Sequence, residues 1–459
     1  MISQGQLRAI FAFRLSEMYG REVPAYTTLV DVSREVNEHV LRTAGDAAQG
    51  DSIGRVTAER HGAIRVGTPR ELEQVARIFA ALGMHPVGFY DLRSAASSSV
   101  PVVSTAFRPI DEAELAHNPF RVFTSMLTPD DPRFFTPELR QRLENFLDQR
   151  QLFSPELLEL ADRAERERAL SQDDADRFLD LAVASFELST EPIDKGWYDT
   201  LEKVSAVAAD IGGVRSTHIN HLTPRVLDID ELYRRMTERG IQMIDTIQGP
   251  PKWGGPDVLL RQTSFRALAE PRVLRDADGT LVQGDLRVRF GEVEARGIAL
   301  TPAGRARYDA LLAETDEITG ARPGRAAAEV AREVWEQGFP STENELIEQE
   351  LAYFTYHSCE PITGQERRDT TIPNLLAQGA IVAKPITYED FLPRSAAGIF
   401  QSNLNGEGTR DNLQQGTHYD AGWLAGALNR EVHDPFDLYQ RQQDASIARV
   451  LRDHDRAIF

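Results

Sequence analysis

"RHGAIRVGTPRELEQVARIFAALGM" spans residues 60–84, and its reading decides the fold. Taken as a strand, its first residues alternate with a period of two. His61, Ala63 and Arg65 then share one face, while Gly62, Ile64 and Val66 share the other. Thr68-Pro69 breaks the strand and opens a helix, with Pro69 near its first position. Leu72, Val75, Ile78 and Phe79 recur at helical spacing, and Gly83 stops the helix. Strand-like segments follow: HPVGFYDL (85–92), VPVVSTAFRPI (100–110) and PFRVFTSML (119–127).

The same plan returns in "HINHLTPRVLDIDELYRRMTERGI", residues 218–241, which reads as a histidine-bearing strand, a turn, a helix and a glycine. Behind it come PDVLLRQTSF (256–265), RVLRDADGTLV (272–282) with an Asp278-Gly279 hairpin signal, and DLRVRFGEVEARGIALTP (285–302). The chain is therefore expected to be α+β, built on two strand-helix-strands modules. Residues 1–58 read as an N-terminal helical region, 59–128 as the first module and 129–209 as a charged helical insert. Residues 210–302 form the second module, and 303–459 a helical C-terminal region with a pocket loop near 388–404. Aligning Glu71-Leu72 with Glu231-Leu232 pairs His61 with His221. Aligning Gly83 with Gly240 pairs it with His218, so the repeat leaves the register open.

The 459 residues carry 71 acidic and 51 basic side chains, a formal charge of −20. Such a charge repels polyanions, so nucleic acid is excluded as a partner, and a small anionic substrate requires local arginines. Cys359 is the single cysteine, which rules out an internal disulfide and a thiolate cage. Any metal must rest on histidine, carboxylate and water. No apolar run approaches the roughly 18–20 residues of a membrane span, and the N-terminus reads as a helix and not a leader, so a cytoplasmic protein is expected.

Three segments carry candidate chemistry. The strand at His61 presents an imidazole and a guanidinium, Arg65, on one face. In HINHL an odd spacing sends His218 and His221 to opposite faces of a regular strand, so one of them points inward. In RFGEVEARG, Phe290, Glu292, Glu294 and Arg296 share a face; burying two unpaired carboxylates is costly, so either this face is exposed to solvent or a metal or an arginine sits opposite it. Two histidines and one carboxylate make the facial triad of non-haem Fe(II) oxygenases, although manganese and zinc accept similar ligands. The chain has no HExxH, G-x-S-x-G or Walker motif.

ERHGAIRVGT, PVGFYDL, FRVFTS, HINHLTPRVLDID, LLRQTSF, FGEVEARGIALTPAGR and YEDFLPRSAAGIFQSNL occur in this order across nearly the whole chain. Together they resemble the 2-oxoadipate dioxygenase/decarboxylase family, a branch of the vicinal oxygen chelate superfamily. The resemblance implies two modules forming a central incomplete barrel, with large helical insertions. It also implies an Fe(2+) enzyme that converts 2-oxoadipate and O2 to D-2-hydroxyglutarate and CO2 in lysine catabolism.

Matched motif by motif, the iron ligands fall on His61, His221 and Glu292, and Arg65 is the catalytic arginine that binds the substrate carboxylate. His218 becomes a structural neighbour. Gln262, Tyr388 and Ser395 are further candidates for the substrate pocket. Arg394 stands where the family carries a small apolar residue. It is free to recruit a second carboxylate, to fill the pocket or to swing to solvent. Two other readings are a metal-dependent isomerase or lyase on the same scaffold, and a non-catalytic binding protein.

Overall fold

The structure, a computed structural model, describes residues 1–44, 56, 59–94, 100–287, 289–321, 326–359, 371–403, 408–411 and 413–456. The end of the expected N-terminal region, apart from Val56, and residue 404 of the expected pocket loop lie outside them.

The opening stretch folds as its pattern dictates. Strand β1 (Arg60–Val66) leads into the helix Pro69–Ala81, whose first turn is capped where Thr68 Oγ1 accepts from the Glu71 amide at 3.2 Å. Strands β2 (His85–Asp91), β3 (Val102–Arg108) and β4 (Arg121–Leu127) follow. They join β1 and a fifth strand, β5 (Ile219–Pro224), in the order β2-β3-β4-β1-β5. β1 runs parallel to β4, and every other pairing in the sheet is antiparallel.

The period of two sorts this sheet into two layers. Ile64, Val66, Val103, Phe107, Val122 and Met126 pack in one core with Leu72, Val75, Ile78 and Phe79 of the helix and with Leu7, Phe11 and Leu15 of the N-terminal helix Gln4–Glu22. Ala63, Val102, Ala106, Phe123 and Leu127 enter the second core, with Tyr90, Trp197 and Phe391. The candidate site lies on this second side, the Ala63 face that carries His61 and Arg65.

The expected insert is helical, with Pro137–Asp148, Pro155–Glu167, Gln172–Ala184, Lys195–Glu202 and Ala206–Gly212 opened by the caps Thr136, Ser154, Ser171, Asp194 and Ser205. In the second half, Asp228 caps the helix Ile229–Glu238. Next come β6 (Leu260–Phe265), the antiparallel pair β7 (Glu270–Arg275) and β8 (Leu281–Leu286), and β9 (Gly291–Arg296). β6 and β9 pair with each other, and β7 and β8 make a separate small sheet with Ile193–Asp194.

The class is therefore α+β, with several small mixed sheets. Among the described residues none closes into a barrel. Among the described residues, β5 is the strand of the second half that joins the first half's sheet.

The chain divides into two compact units. One comprises Met1–Gln248, Gln262–Ala295 and Asp390–His433; the other comprises Gly249–Arg261, Arg296–Glu389 and Asp434–Phe459. The second unit adds a strand pair to a C-terminal region read from the sequence as mostly helical. Besides the helices Pro302–Ala321, Ala327–Gly338 and Pro435–Arg456 it holds an antiparallel pair, β10 (Phe354–Ser358) and β11 (Ile381–Pro385). Its core centres on Trp335, which packs against Trp253, Tyr308 and Phe339. No helix among the described residues is long and apolar enough to cross a membrane.

A correction concerns the expected pocket loop. Pro393–Asn403 is a helix. Pro393 opens it, proline being well placed at a first helical position. Gly398 answers a close approach: a Cβ there would lie 2.6 Å from Gln248 Oε1.

Candidate metal centre

β1, β5 and β9 bring His61, His221 and Glu292 together, with one ligand atom of each lying within 4.8 Å of the others. Glu292 reaches both rings: Oε1 is 3.5 Å from His61 Nε2, and Oε2 is 3.4 Å from His221 Nε2. All three side chains are buried. A small cavity at the cluster is walled by Phe123, Phe391, Ala396 and Ile399. Gly291 lets β9 approach, because Phe265 occupies the space a Cβ would need, 1.8 Å away.

The other nitrogen of each imidazole is engaged as well. His61 Nδ1 lies 2.9 Å from Glu294 Oε2, and His221 Nδ1 lies 3.0 Å from Thr223 Oγ1. Such contacts fix ring orientation and hold Nε2 toward the cluster. Burial, reinforced by the nearby His61 and Arg65, pushes His221 well below the usual histidine range. Its ring is thus neutral and offers a lone pair. Two imidazoles turned toward a buried carboxylate form a donor set that fits a divalent transition metal, whose charge would offset the cost of burying Glu292. Gln262 Nε2 donates to Glu292 Oε1 and steadies the carboxylate.

The paired carboxylates of β9 are buried and not solvent-facing, and the cation opposite Glu294 is Arg121. Its Nη1 is 3.3 Å from Glu294 Oε1, and its Nη2 is 2.9 Å from Glu59 Oε1. Sequence reasoning missed Arg121, although β4 sets it directly across from His61 in the sheet.

The reading of HINHL by simple alternation needs correcting. Ala63 pairs with His221 and Ile64 with Ile219, so Asn220 is an extra residue in β5, a β-bulge. One extra residue reverses the parity, and His218 no longer falls opposite His221. His218 Nε2 lies 3.4 Å from Asp210 Oδ1, and Asp210 Oδ2 accepts from Arg65 Nη1 at 2.5 Å. Asn220 Nδ2 also donates to Asp210 Oδ2, at 3.0 Å. His218 thus belongs to a buried polar group around Arg65 and is not among the clustered ligands.

The remaining candidates are dispersed. Ser395 is buried at the start of the helix Pro393–Asn403, whereas Arg394 beside it is exposed. Tyr388 lies in the second unit, where its amide donates to Gly297 O and its carbonyl accepts from Arg296.

Comparison with known proteins gives a consistent result. The sequence profile of the 2-oxoadipate dioxygenase/decarboxylase family matches residues 11–403. The chain is 56% identical over 438 residues to a Mycobacterium tuberculosis protein named 2-oxoadipate dioxygenase/decarboxylase, a match covering 95% of this chain and 96% of that one. A Pseudomonas putida protein of the same name is 40% identical over 457 residues, or 97% and 96% of the two chains. The crystal structure of the hydroxyglutarate synthase from Pseudomonas putida in complex with 2-oxoadipate aligns with a TM-score of 0.85 at 37% identity, covering 99% of each chain.

Proposed function

The chain belongs to the 2-oxoadipate dioxygenase/decarboxylase family, and on that premise we propose that it converts 2-oxoadipate and O2 to D-2-hydroxyglutarate and CO2. The reaction balances with O2 as sole oxidant. The bond between the carboxylate and the keto carbon breaks to release CO2, one oxygen atom completes the new carboxylate, and the other becomes the hydroxyl group on the adjacent carbon. We place the enzyme in the cytoplasm, in lysine catabolism, and read β1–β4 and β5–β9 as paired modules of the vicinal oxygen chelate type.

The observation that carries the reading is the buried cluster of His61, His221 and Glu292, with Arg65 on the same face of β1 as His61. These three side chains would hold Fe(2+). Bound there, iron would supply a Lewis acid for the 2-oxo acid and the electrons that activate O2.

The chain's own residues do the rest. Arg65 binds the substrate carboxylate with its planar fork, which matches a carboxylate bidentately. Glu294 and Thr223 keep the imidazoles turned to the cluster, and Gln262 keeps Glu292 in place. Phe123, Phe391 and Ile399 keep water from a reactive centre. Ser395, buried beside them in sequence, is assigned a hydrogen bond to the substrate.

Purified protein loaded with Fe(2+) is expected to consume O2 and release CO2 in equal amounts with 2-oxoadipate. Turnover without O2 would overturn the oxygenase reading in favour of an isomerase or lyase. His221→Ala is expected to lose stoichiometric iron, and unchanged metal content would overturn the ligand assignment.

A further inference from the structure

Asp210 and His218 also line a second cavity, of about 750 Å3, distinct from the small space at the metal cluster. Its walls carry Arg142, Arg215, Arg272 and Arg275. Two of these are held over aromatic rings: the Arg142 guanidinium lies 4.3 Å from the centre of Trp197, and that of Arg215 lies 5.6 Å from the centre of Phe146. Three acids share the lining: Asp210 is bound to Arg65, Asp194 caps the helix Lys195–Glu202 by accepting from the Trp197 amide at 2.8 Å, and Glu191 is exposed at the rim, so four arginines face three carboxylates. The arginines are thus in excess in a chain whose overall charge is −20.

Arg272 is the most telling of them. Its Nη2 is buried and has no hydrogen-bond partner among the described residues. The residue is half-buried and its Nη1 donates to the Pro271 carbonyl at 3.2 Å, so Nη2 is the donor left over, and a buried donor without a partner is costly unless an acceptor meets it. The volume lies within the roughly 300–1,000 Å3 usual for small-molecule pockets.

We propose that this cavity is a binding chamber for small dicarboxylates, which gathers the acid substrate beside Asp210 before Arg65 takes it up. The identity of that substrate rests on the 2-oxo acid reading above; the chamber itself rests on its arginines. The Arg65–Asp210 pair then forms the partition. An arriving carboxylate replaces Asp210 on Arg65, while Asp210 keeps Asn220 and His218 as partners.

Adipate is a suitable probe, since it carries both carboxylates but no keto oxygen with which to chelate a metal. Calorimetric titration into the full-length protein is expected to show adipate binding of similar affinity with chelator and with Fe(2+), weakened by added salt. Arg272→Gln should weaken it about tenfold or more. Arg275→Gln, at an exposed position, should weaken it less and guards against a folding defect in the first variant. In turnover, Arg272→Gln should raise KM for 2-oxoadipate with kcat unchanged.

Adipate binding that requires iron, or that is unaltered in both variants, would overturn the chamber. Failure of the two readings is separable. Adipate binding that depends on Arg272 without any turnover of 2-oxoadipate would sink the enzymatic reading and leave the chamber. Turnover with KM unchanged in both variants would do the reverse.

Discussion

His61 Nδ1 lies 2.9 Å from Glu294, and Glu294 in turn meets Arg121, so the orientation of a ring in the candidate cluster depends on a carboxylate outside it. Groups that orient ligating histidines typically contribute 10–100-fold to metal affinity. Glu294→Gln should therefore weaken Fe(2+) binding by about 10–100-fold in a competition titration with a chelating dye, with the three ligands intact. Unchanged affinity would show that the ring is held by packing against Phe391, its edge-on neighbour at 5.0 Å. Period-two reading put Glu292 and Glu294 on one face but left open whether that face is exposed or meets a positive charge. It did not reveal that one charge is Arg121 from β4, because only the sheet register brings that residue opposite His61. Nor did it reveal the bulge at Asn220, since an inserted residue leaves no mark in a pattern of alternation.

At the scale of elements, the helix Pro393–Asn403 brings Ala396 and Ile399 to the small cavity, and both its ends are fastened within the first unit. Just before it, Asp390 forms a two-pronged pair with Arg108 of β3, at 2.8 and 2.9 Å. At its end, Asn403 donates to Ser264 and accepts from the Ala267 amide. Both members of the Arg108–Asp390 pair are buried, so removing one strands the other's charge. Asp390→Ala should cost about 3–5 kcal/mol, read as a lowered denaturant midpoint, with lost activity if the helix detaches. A midpoint within the error of the wild type would show that water reaches Arg108. The strands and the first helix were legible because apolar spacing and punctuation agree there. This helix was hidden because its proline and glycine are the residues that also end helices.

Over the whole molecule, the α+β class was legible from the mixture of strand and helix patterns, but the sharing of β5 with the first sheet was not, since pairing between distant strands leaves no local signal. One consequence of burying that junction is a dependence of stability on pH. His218 is pushed down to about 4, chiefly by burial, with Arg289, Arg65 and Arg272 lowering it further and Asp210 opposing them. Near pH 7 its ring is neutral in both folded and unfolded chains. Between the ordinary value of 6.5 and about 4, the unfolded chain takes up a proton that the folded chain refuses. Stability from this residue is therefore fully present above pH 6.5 and lost as the pH falls toward 4, by about 3 kcal/mol in all. His218→Gln keeps a donor toward Asp210 and cannot titrate, so its acid limb should be shallower than the wild type's by about that amount. Superimposable acid limbs, measured by denaturant unfolding at pH 7, 5.5 and 4.5, would mean that His218 is protonated in the folded protein and that Asp210 outweighs its burial.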